Sequence, residues 1–351
     1  MPATEHLDQN AASEKLDRAR IPNIDLSALF CESRLPHDDL TTRDDLTARD
    51  DLTARVKKAC LDPGFFYIHN SCVDDATIKA ALAASTLFFD TADSGPVKQS
   101  VHNRNAGGMK GWGPMFGEPA YQKGTIAHVE SFDIGQQLSN ESYQSLDIEP
   151  NIWPELSGFK ETILNYYQGI TRLGRALGGI FSEILGEDSG FISDRSGESA
   201  PRTMRLLHYP SNQSQTDPAN VGIAAHTDFE CFTIMHQTAA GLELTDAAGN
   251  WCQAPADIGT FTIILGDMME RFSNGYLKAT GHRVSNTPWT RYSMVLFFAL
   301  DGGYSVKPLP QFVSIDEPPR YAAVTQDEHI ERELRRAAAN AENRESRIAN
   351  D

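Results

Sequence analysis

The chain has no run of eighteen apolar residues, so nothing in it reads as a membrane span. Its first twenty residues are polar and charged and hold no apolar core of a secretory signal. Cysteine is scarce. There are five, at 31, 60, 72, 231 and 252, an odd number with no Cys-x-x-Cys pair. That excludes a disulfide framework and a cysteine zinc site, and it fits free thiols in a reducing, cytoplasmic setting. Basic charge is also short: 31 Lys and Arg stand against 48 Asp and Glu, a net charge of −17. Nucleic acid and anionic membranes both need a basic surface, so neither is expected as a partner. A small molecule is the expected partner, and the chain is expected to act as a monomer or homodimer.

A length of 351 suits one large domain with tails. Residues 1–19 read as a flexible lead. Residues 20–200 read as mostly helical and contain an oddity: 38–43, 44–49 and 50–55 are near-copies of DDLTxR. Six residues is not a helical period, so Leu40, Leu46 and Leu52 drift around any helix they share. The plain reading is a tandem duplication on a solvated surface. Helical patterns follow at 73–92 and 153–186, where Gly178-Gly179 suggests close packing, with a Gly- and Pro-rich loop at 103–124 between them. From 201 to 315 the pattern changes to short apolar strands: 203–209, 223–227, 231–237, 242–245, 260–265, 279–284 and 292–300. Residues 316–351 form a tail ending in a charged helix over 325–348. Closely spaced strands after a helical half predict an α+β fold, a double-stranded β-helix (jelly-roll) barrel backed by helices.

The chemistry sits in the strand region. His226-Thr227-Asp228 places an imidazole and a carboxylate at i and i+2. On a strand these share a face and grip one ion together. A further ligand must come from a neighbouring strand, and His282 is the candidate. Two histidines and one carboxylate on one face of an octahedron are the ligand set of non-haem Fe(II) oxygenases, with three positions left for other ligands. A His-x-Asp pair alone recurs by chance, and buried core histidines are the plain alternative; the downstream context is what strengthens it. Nine residues beyond His282 comes Arg291-Tyr292-Ser293. Arg291 and Ser293 again share a strand face, and a planar guanidinium with a hydroxyl suits the distal carboxylate of a 2-oxo diacid.

These motifs resemble the isopenicillin N synthase-like branch of the Fe(II)/2-oxoglutarate-dependent dioxygenases. The resemblance runs from about residue 20 to 315. Ile21-Pro22-Asn23-Ile24-Asp25-Leu26 and Gly64-Phe65-Phe66-Tyr67-Ile68 resemble the opening strands. Phe88-Phe89 with Lys98, then Glu130-Ser131-Phe132-Asp133-Ile134-Gly135, resemble the next blocks, with Val129 where the family often has Lys. Arg205-Leu206-Leu207-His208-Tyr209-Pro210 resembles the strand before the iron site. The departure at His69-Asn70-Ser71, where the family has Asn-His-Gly, carries little catalytic weight.

The resemblance implies Fe(II) held by His226, Asp228 and His282, 2-oxoglutarate held by Arg291, Ser293 and Tyr209, and O2 as second co-substrate. It implies decarboxylation to succinate and CO2, coupled to oxidation of a C–H bond by hydroxylation, desaturation or cyclisation, in the manner of secondary metabolism. Arg205, Phe229, Phe297 and Phe132 are the expected substrate contacts, with Trp112, Met115 and Phe116 as lid residues. Arg205 is placed to pair with a substrate carboxylate or the co-substrate. His208 and His236 read as structural, and Asp267–Arg271 as a turn that supports the His282 strand. Two rivals stay open. One keeps the iron but uses no 2-oxoglutarate, as isopenicillin N synthase does, or breaks 2-oxoglutarate down to ethylene. The other is a catalytically silent binding protein on the same fold.

Overall fold

The computed structural model describes residues 7–9, 11–15, 21–30, 43–212, 219–256 and 259–348. Two sheets face each other. The larger has eight strands in the order Asn23–Asp25, Phe65–His69, Phe261–Leu265, Phe232–Gln237, Arg291–Phe298, Met204–Tyr209, Glu130–Ile134, Gly111–Gly113. The smaller has five: Ser13–Lys15, Trp251–Gln253, Leu242–Thr245, His282–Val284, Ile223–His226. This is the expected jelly roll. The strand-rich half does not form it alone, because four of the eight large-sheet strands lie before residue 201. The half that reads as mostly helical therefore completes the sheet.

Alternation along the central strands sets up the two faces. Met204, Leu206 and Phe298 point into one hydrophobic cluster with the helices, while Leu207, Tyr209 and Val295 belong to a second cluster between the sheets. A strand turns each side chain to the opposite face from its neighbour, so this split follows directly from the sequence order. The helical layer is led by Phe159–Ile184. Its apolar stripe runs through Ile163, Tyr166, Ile170, Leu173, Leu177 and Ile180, all at most 1% exposed. At Gly178 a Cβ would meet Ser193 Oγ at 2.9 Å, so a close approach does account for a glycine there.

The helix Arg43–Leu61 contains the second and third DDLTxR copies. Apart from Arg43 the first copy lies outside the described residues. The third copy buries Leu52, and Val56 one turn later is buried too. Arg49 Nε donates to Glu183 Oε1 at 2.5 Å and Thr53 Oγ1 donates to Glu183 Oε2 at 2.8 Å. The repeat thus docks on the long helix through Leu52 and one carboxylate, Glu183.

Of the expected loose lead at 1–19, residues 1–6, 10 and 16–19 lie outside the described residues, and 7–9 and 11–15 are anchored. Ser13–Lys15 pairs in parallel with Trp251–Gln253 and extends the smaller sheet. Arg283 secures the segment before it, donating from Nη1 to Gln9 O at 2.6 Å and from Nη2 to Ala11 O at 2.7 Å. A polar tripeptide gives no strand signal of its own; an available sheet edge recruits it. No helix among the described residues is long and apolar enough to cross a membrane.

Candidate active site

The smaller sheet brings two imidazoles together. His282 stands directly opposite His226 in the antiparallel pair, with ring centroids 4.2 Å apart. Asp228 arrives differently from the expectation. The strand stops at His226, and Asp228 lies in the corner where the chain leaves one sheet for the other. That corner is fastened by backbone bonds from Asp267 N to Asp228 O, 2.9 Å, and from Met268 N to Glu230 O, 3.1 Å. Gly266 makes the approach feasible, since a Cβ there would sit 2.2 Å from Glu230 O. Asp267–Phe272 therefore supports the Asp228 corner directly. It also supports the His282 strand, because Glu270 Oε2 accepts from Ala279 N at 2.7 Å.

One ligand atom from each of His226, Asp228 and His282 lies within 4.8 Å of the others, and all three residues are buried. Asp228 Oδ1 is 3.8 Å from His226 Nε2 and 3.5 Å from His282 Nε2. Each histidine engages a carbonyl through Nδ1: Ala224 O at 2.8 Å and Thr280 O at 3.2 Å. These bonds fix the tautomer that leaves Nε2 as a lone-pair donor. Burial, then the neighbouring His282, holds His226 well below the ordinary imidazole value, so it stays neutral as a ligand must. Burial raises Asp228, offset in part by His282 and by the hydrogen bond from Thr233 Oγ1 to Oδ2. The donor set fits a divalent iron.

Across the barrel, Arg291 is fully buried. Its Nη2 donates to Gln237 Oε1 at 3.0 Å and to Ser293 Oγ at 2.9 Å. Among the described residues its Nε and Nη1 have no hydrogen-bond partner, and neither has Gln237 Nε2. Buried guanidinium donors are rarely left idle. A buried cation with free N–H groups suits a carboxylate, so the residues present fit the far end of 2-oxoglutarate. Tyr209 lies opposite Arg291 in the strand pair and carries the guanidinium over its ring at 4.5 Å. Gln237 was not among the expected residues; its strand pairing with Ser293 supplies the signal, and only the register reveals it.

Beside the three metal-ligand candidates lies a cavity of about 200 Å³. Leu207, Tyr209, Phe229 and Phe297 line it, together with His226, Asp228 and His282. Phe132 does not. It is fully buried against Phe88 and Phe159 on the helical face, one residue out of phase with Ser131 and Asp133. Trp112 is likewise core, its Nε1 donating to Glu130 Oε2 at 2.8 Å, and Met115 and Phe116 are absent from the lining. Met109 is at the cavity instead. So are Ile330 and Leu334 of the C-terminal helix Gln326–Ile348. That helix is tied to both flanks of the metal ligands: Gln326 Nε2 donates to Phe229 O at 3.0 Å and Asn340 Nδ2 to Ala120 O at 3.0 Å.

Arg205 lines the cavity, and three of its five N–H donors are engaged by protein carboxylates. Nη1 and Nη2 hold Glu118 in a bidentate pair at 2.6 Å each, and Nε holds Asp133 at 2.9 Å. The expected place of Arg205 at the cavity holds, and in the structure two protein carboxylates share its guanidinium. Burial opposes charge throughout this cluster. Arg205 outweighs it at Glu118, which is lowered, but only partly offsets it at Asp133, which is raised. Tyr121 was missed as well. Its ring stacks on His226 at 4.3 Å and its hydroxyl donates to Glu118 Oε1 at 3.1 Å. Burial, then the Asp228 carboxylate, push Glu230 up to about 8.

Two family models cover most of this framework. The 2OG-Fe(II) oxygenase superfamily matches residues 201–300, and the N-terminal region of non-haem dioxygenases in morphine synthesis matches 21–156. The 2-oxoglutarate-dependent dioxygenase citB of Monascus ruber is 31% identical over 270 residues, 72% of this chain and 80% of the relative. The chain belongs to the 2OG-Fe(II) oxygenase family. The 2-oxoglutarate-Fe(II) type oxidoreductase hxnY of Emericella nidulans is 28% identical over 82% of this chain and 85% of its own length. Among solved structures, a full-length Neurospora crassa protein in complex with alpha-KG superposes with a TM-score of 0.74 at 22% identity, covering 91% of this chain and 96% of that one. A 2OG-Fe(II) oxygenase family protein from Caulobacter crescentus gives 0.75 at 25%, covering 90% and 98%. The dioxygenase thus uses Fe(II), 2-oxoglutarate and O2. The rivals without 2-oxoglutarate or without catalysis find no support in these relatives.

Proposed function

We propose that this dioxygenase oxidises a C–H bond of a small molecule bound in the cavity beside His226, Asp228 and His282. In this reading those three side chains hold Fe(II), while Arg291, Ser293 and Gln237 hold the distal carboxylate of 2-oxoglutarate. The observation that carries the reading is the pair of unused, fully buried nitrogens on Arg291. Bound iron and 2-oxoglutarate would supply the oxidising power. The chain's own part is placement and exclusion of water. Ala224 O and Thr280 O keep both imidazoles aimed. Tyr209 both lines the cavity and carries Arg291, so the co-substrate and substrate positions share a wall. Phe229, Phe297, Ile330 and Leu334 enclose the substrate in an apolar surround. The cavity of about 200 Å³ would also take the ion and the metal-facing end of 2-oxoglutarate, which limits the substrate to a small molecule. The reducing interior of the cell, where Fe(II) persists, is the setting we assign.

The test is Arg291→Ala, read by Fe(II) content and by 2-oxoglutarate dependence of succinate release. Truncating one partner of a buried charged pair costs about 2–5 kcal/mol. That corresponds to a rise in KM of roughly thirtyfold or more, with iron retained. An unchanged KM would place the co-substrate elsewhere.

A further inference from the structure

His226 stands on an edge strand of the smaller sheet. His282 pairs with it on one side, and no strand of that sheet covers the other. Backbone groups on an uncovered edge must find partners elsewhere. Here Ala225 N donates to Gln9 Oε1 at 2.6 Å, and Ala225 O accepts from Gln122 Nε2 at 2.8 Å. The segment around Gln122 thus stands in for a missing strand, and it brings the ring of Tyr121 against His226. The two rings stack with centroids 4.3 Å apart and planes 10° apart.

Two restraints act on this one imidazole, and they differ in kind. The contact between Nδ1 and Ala224 O, 2.8 Å, fixes the tautomer and one atom of the ring. It still permits tilting about the Cβ–Cγ bond, a torsion that is soft in histidine. A parallel ring at 4.3 Å opposes that tilt, because turning the imidazole drives its edge into the Tyr121 face. His282 is held less firmly. Its contact with Thr280 O is longer, 3.2 Å, and among the described residues its one ring contact is His226, tilted by 49°. Tyr121 is itself well fixed. Its hydroxyl donates to Glu118 Oε1 at 3.1 Å, Arg205 grips both oxygens of Glu118 at 2.6 Å, and Arg205 Nε holds Asp133 at 2.9 Å. Asn340 of the C-terminal helix donates to Ala120 O at 3.0 Å. Resting on the reading of His226, Asp228 and His282 as the iron ligands, we infer that Tyr121 is a positioning residue whose ring sets the plane of the His226 imidazole.

The test uses the full chain, freed of metal and titrated with Co(II), whose visible absorption bands report ligand geometry. Tyr121→Phe keeps the ring. Tyr121→Leu and Tyr121→Met remove it, with Met filling more of the space. Losing an outer partner of a metal ligand typically weakens metal binding about 10–100-fold. Both ringless variants are expected to weaken Co(II) by about tenfold or more and to shift or broaden the bands at saturating Co(II). The melting temperature of the metal-free chain should stay near wild type. Tyr121→Phe should lose no more than about threefold in Co(II) affinity and keep the wild-type bands, because Gln122 and Asn340 still hold the segment. A ring that only fills space would move the melting temperature and leave the spectrum of the loaded protein alone. Unchanged affinity and bands in a folded ringless variant would overturn the inference, as would an equal loss in Tyr121→Phe. So would failure of both ringless variants to fold beside a folded Tyr121→Phe. If the wild-type chain takes up no Co(II), the proposed function itself fails. If it takes up Co(II) and the ringless variants match it, only the role of Tyr121 falls.

Discussion

Two buried polar clusters lie on opposite faces of the large sheet, and one is closed while the other is open. On the helical face, Lys98 Nζ donates to Phe89 O, Asp93 Oδ1 and Glu130 Oε2 at 2.7–2.9 Å. Those three acceptors use all its protons. Glu130 also accepts from Trp112 at 2.8 Å and contacts His208 Nδ1 at 2.7 Å, and His208 stacks on Tyr292 at 4.8 Å. Burial opposes charge on Glu130, but His208, Trp112 and Lys98 together hold its carboxyl below the usual range. On the inner face, Arg291 Nε and Nη1 and Gln237 Nε2 have no partner among the described residues. The two faces share strands: Arg205, Leu207 and Tyr209 look inward while His208, between them, looks outward. Burial and charge are common to both clusters, so neither marks a site; the degree of hydrogen-bond saturation does. A cluster whose hydrogen bonds are complete holds strands together, and one with unmet donors is shaped for a ligand.

The sharpest way to test this contrast is Asp228→Ala. It removes the one anionic metal ligand and should abolish Fe(II) binding and turnover, measured as iron content and succinate release. Retained iron at wild-type affinity would break the assignment of the open face.

Next in size is Lys98→Met on the closed face. It leaves Glu130 without its cation, and breaking a buried pair typically costs about 3–5 kcal/mol of stability. A clear fall in unfolding midpoint is expected, with kcat and the 2-oxoglutarate KM of the folded fraction near wild type. A loss of co-substrate affinity without a loss of stability would show that the two faces are not separate.

The smallest effect belongs to a region outside both clusters, the DDLTxR repeat. Deleting residues 44–49 brings the first copy into the place of the second. Arg43 then takes the position of Arg49, whose Nε holds Glu183. Leu52 and Thr53 keep their own partners. Iron content and kcat should stay near wild type, with at most a modest drop in melting temperature. A folded deletion variant that binds iron but has lost turnover would connect the repeat to the active site.

How much of this was legible depends on the reach of each signal. His226, Asp228, Arg291 and Ser293 are readable because each pair spans two residues and a short spacing fixes its own geometry. Phe132 was misread because the phase of its strand is set by a neighbour. Pairing of Asp133 with Arg205 and of Phe132 with Leu206 puts Phe132 on the outer face. The ion pair of Arg205 was not legible because its partner Glu118 lies 87 residues away, and no local pattern announces that pair. Tyr121, Gln237, Ile330 and Leu334 escaped notice for the same reason.

The sequence by itself therefore determined the type of protein: a jelly roll, a two-histidine, one-carboxylate ligand set, and an arginine and serine suited to a dicarboxylate. Those follow from residue type and short spacing, which strand alternation converts directly into geometry. Only the tertiary structure decided which polar groups are satisfied. It placed His282 opposite His226, recruited Ser13–Lys15 to a sheet edge, set Arg205 between two carboxylates and left two nitrogens of Arg291 without a partner among the described residues. The physical reason is that hydrogen-bond saturation depends on groups brought together from remote parts of the chain, and a one-dimensional pattern carries no record of them.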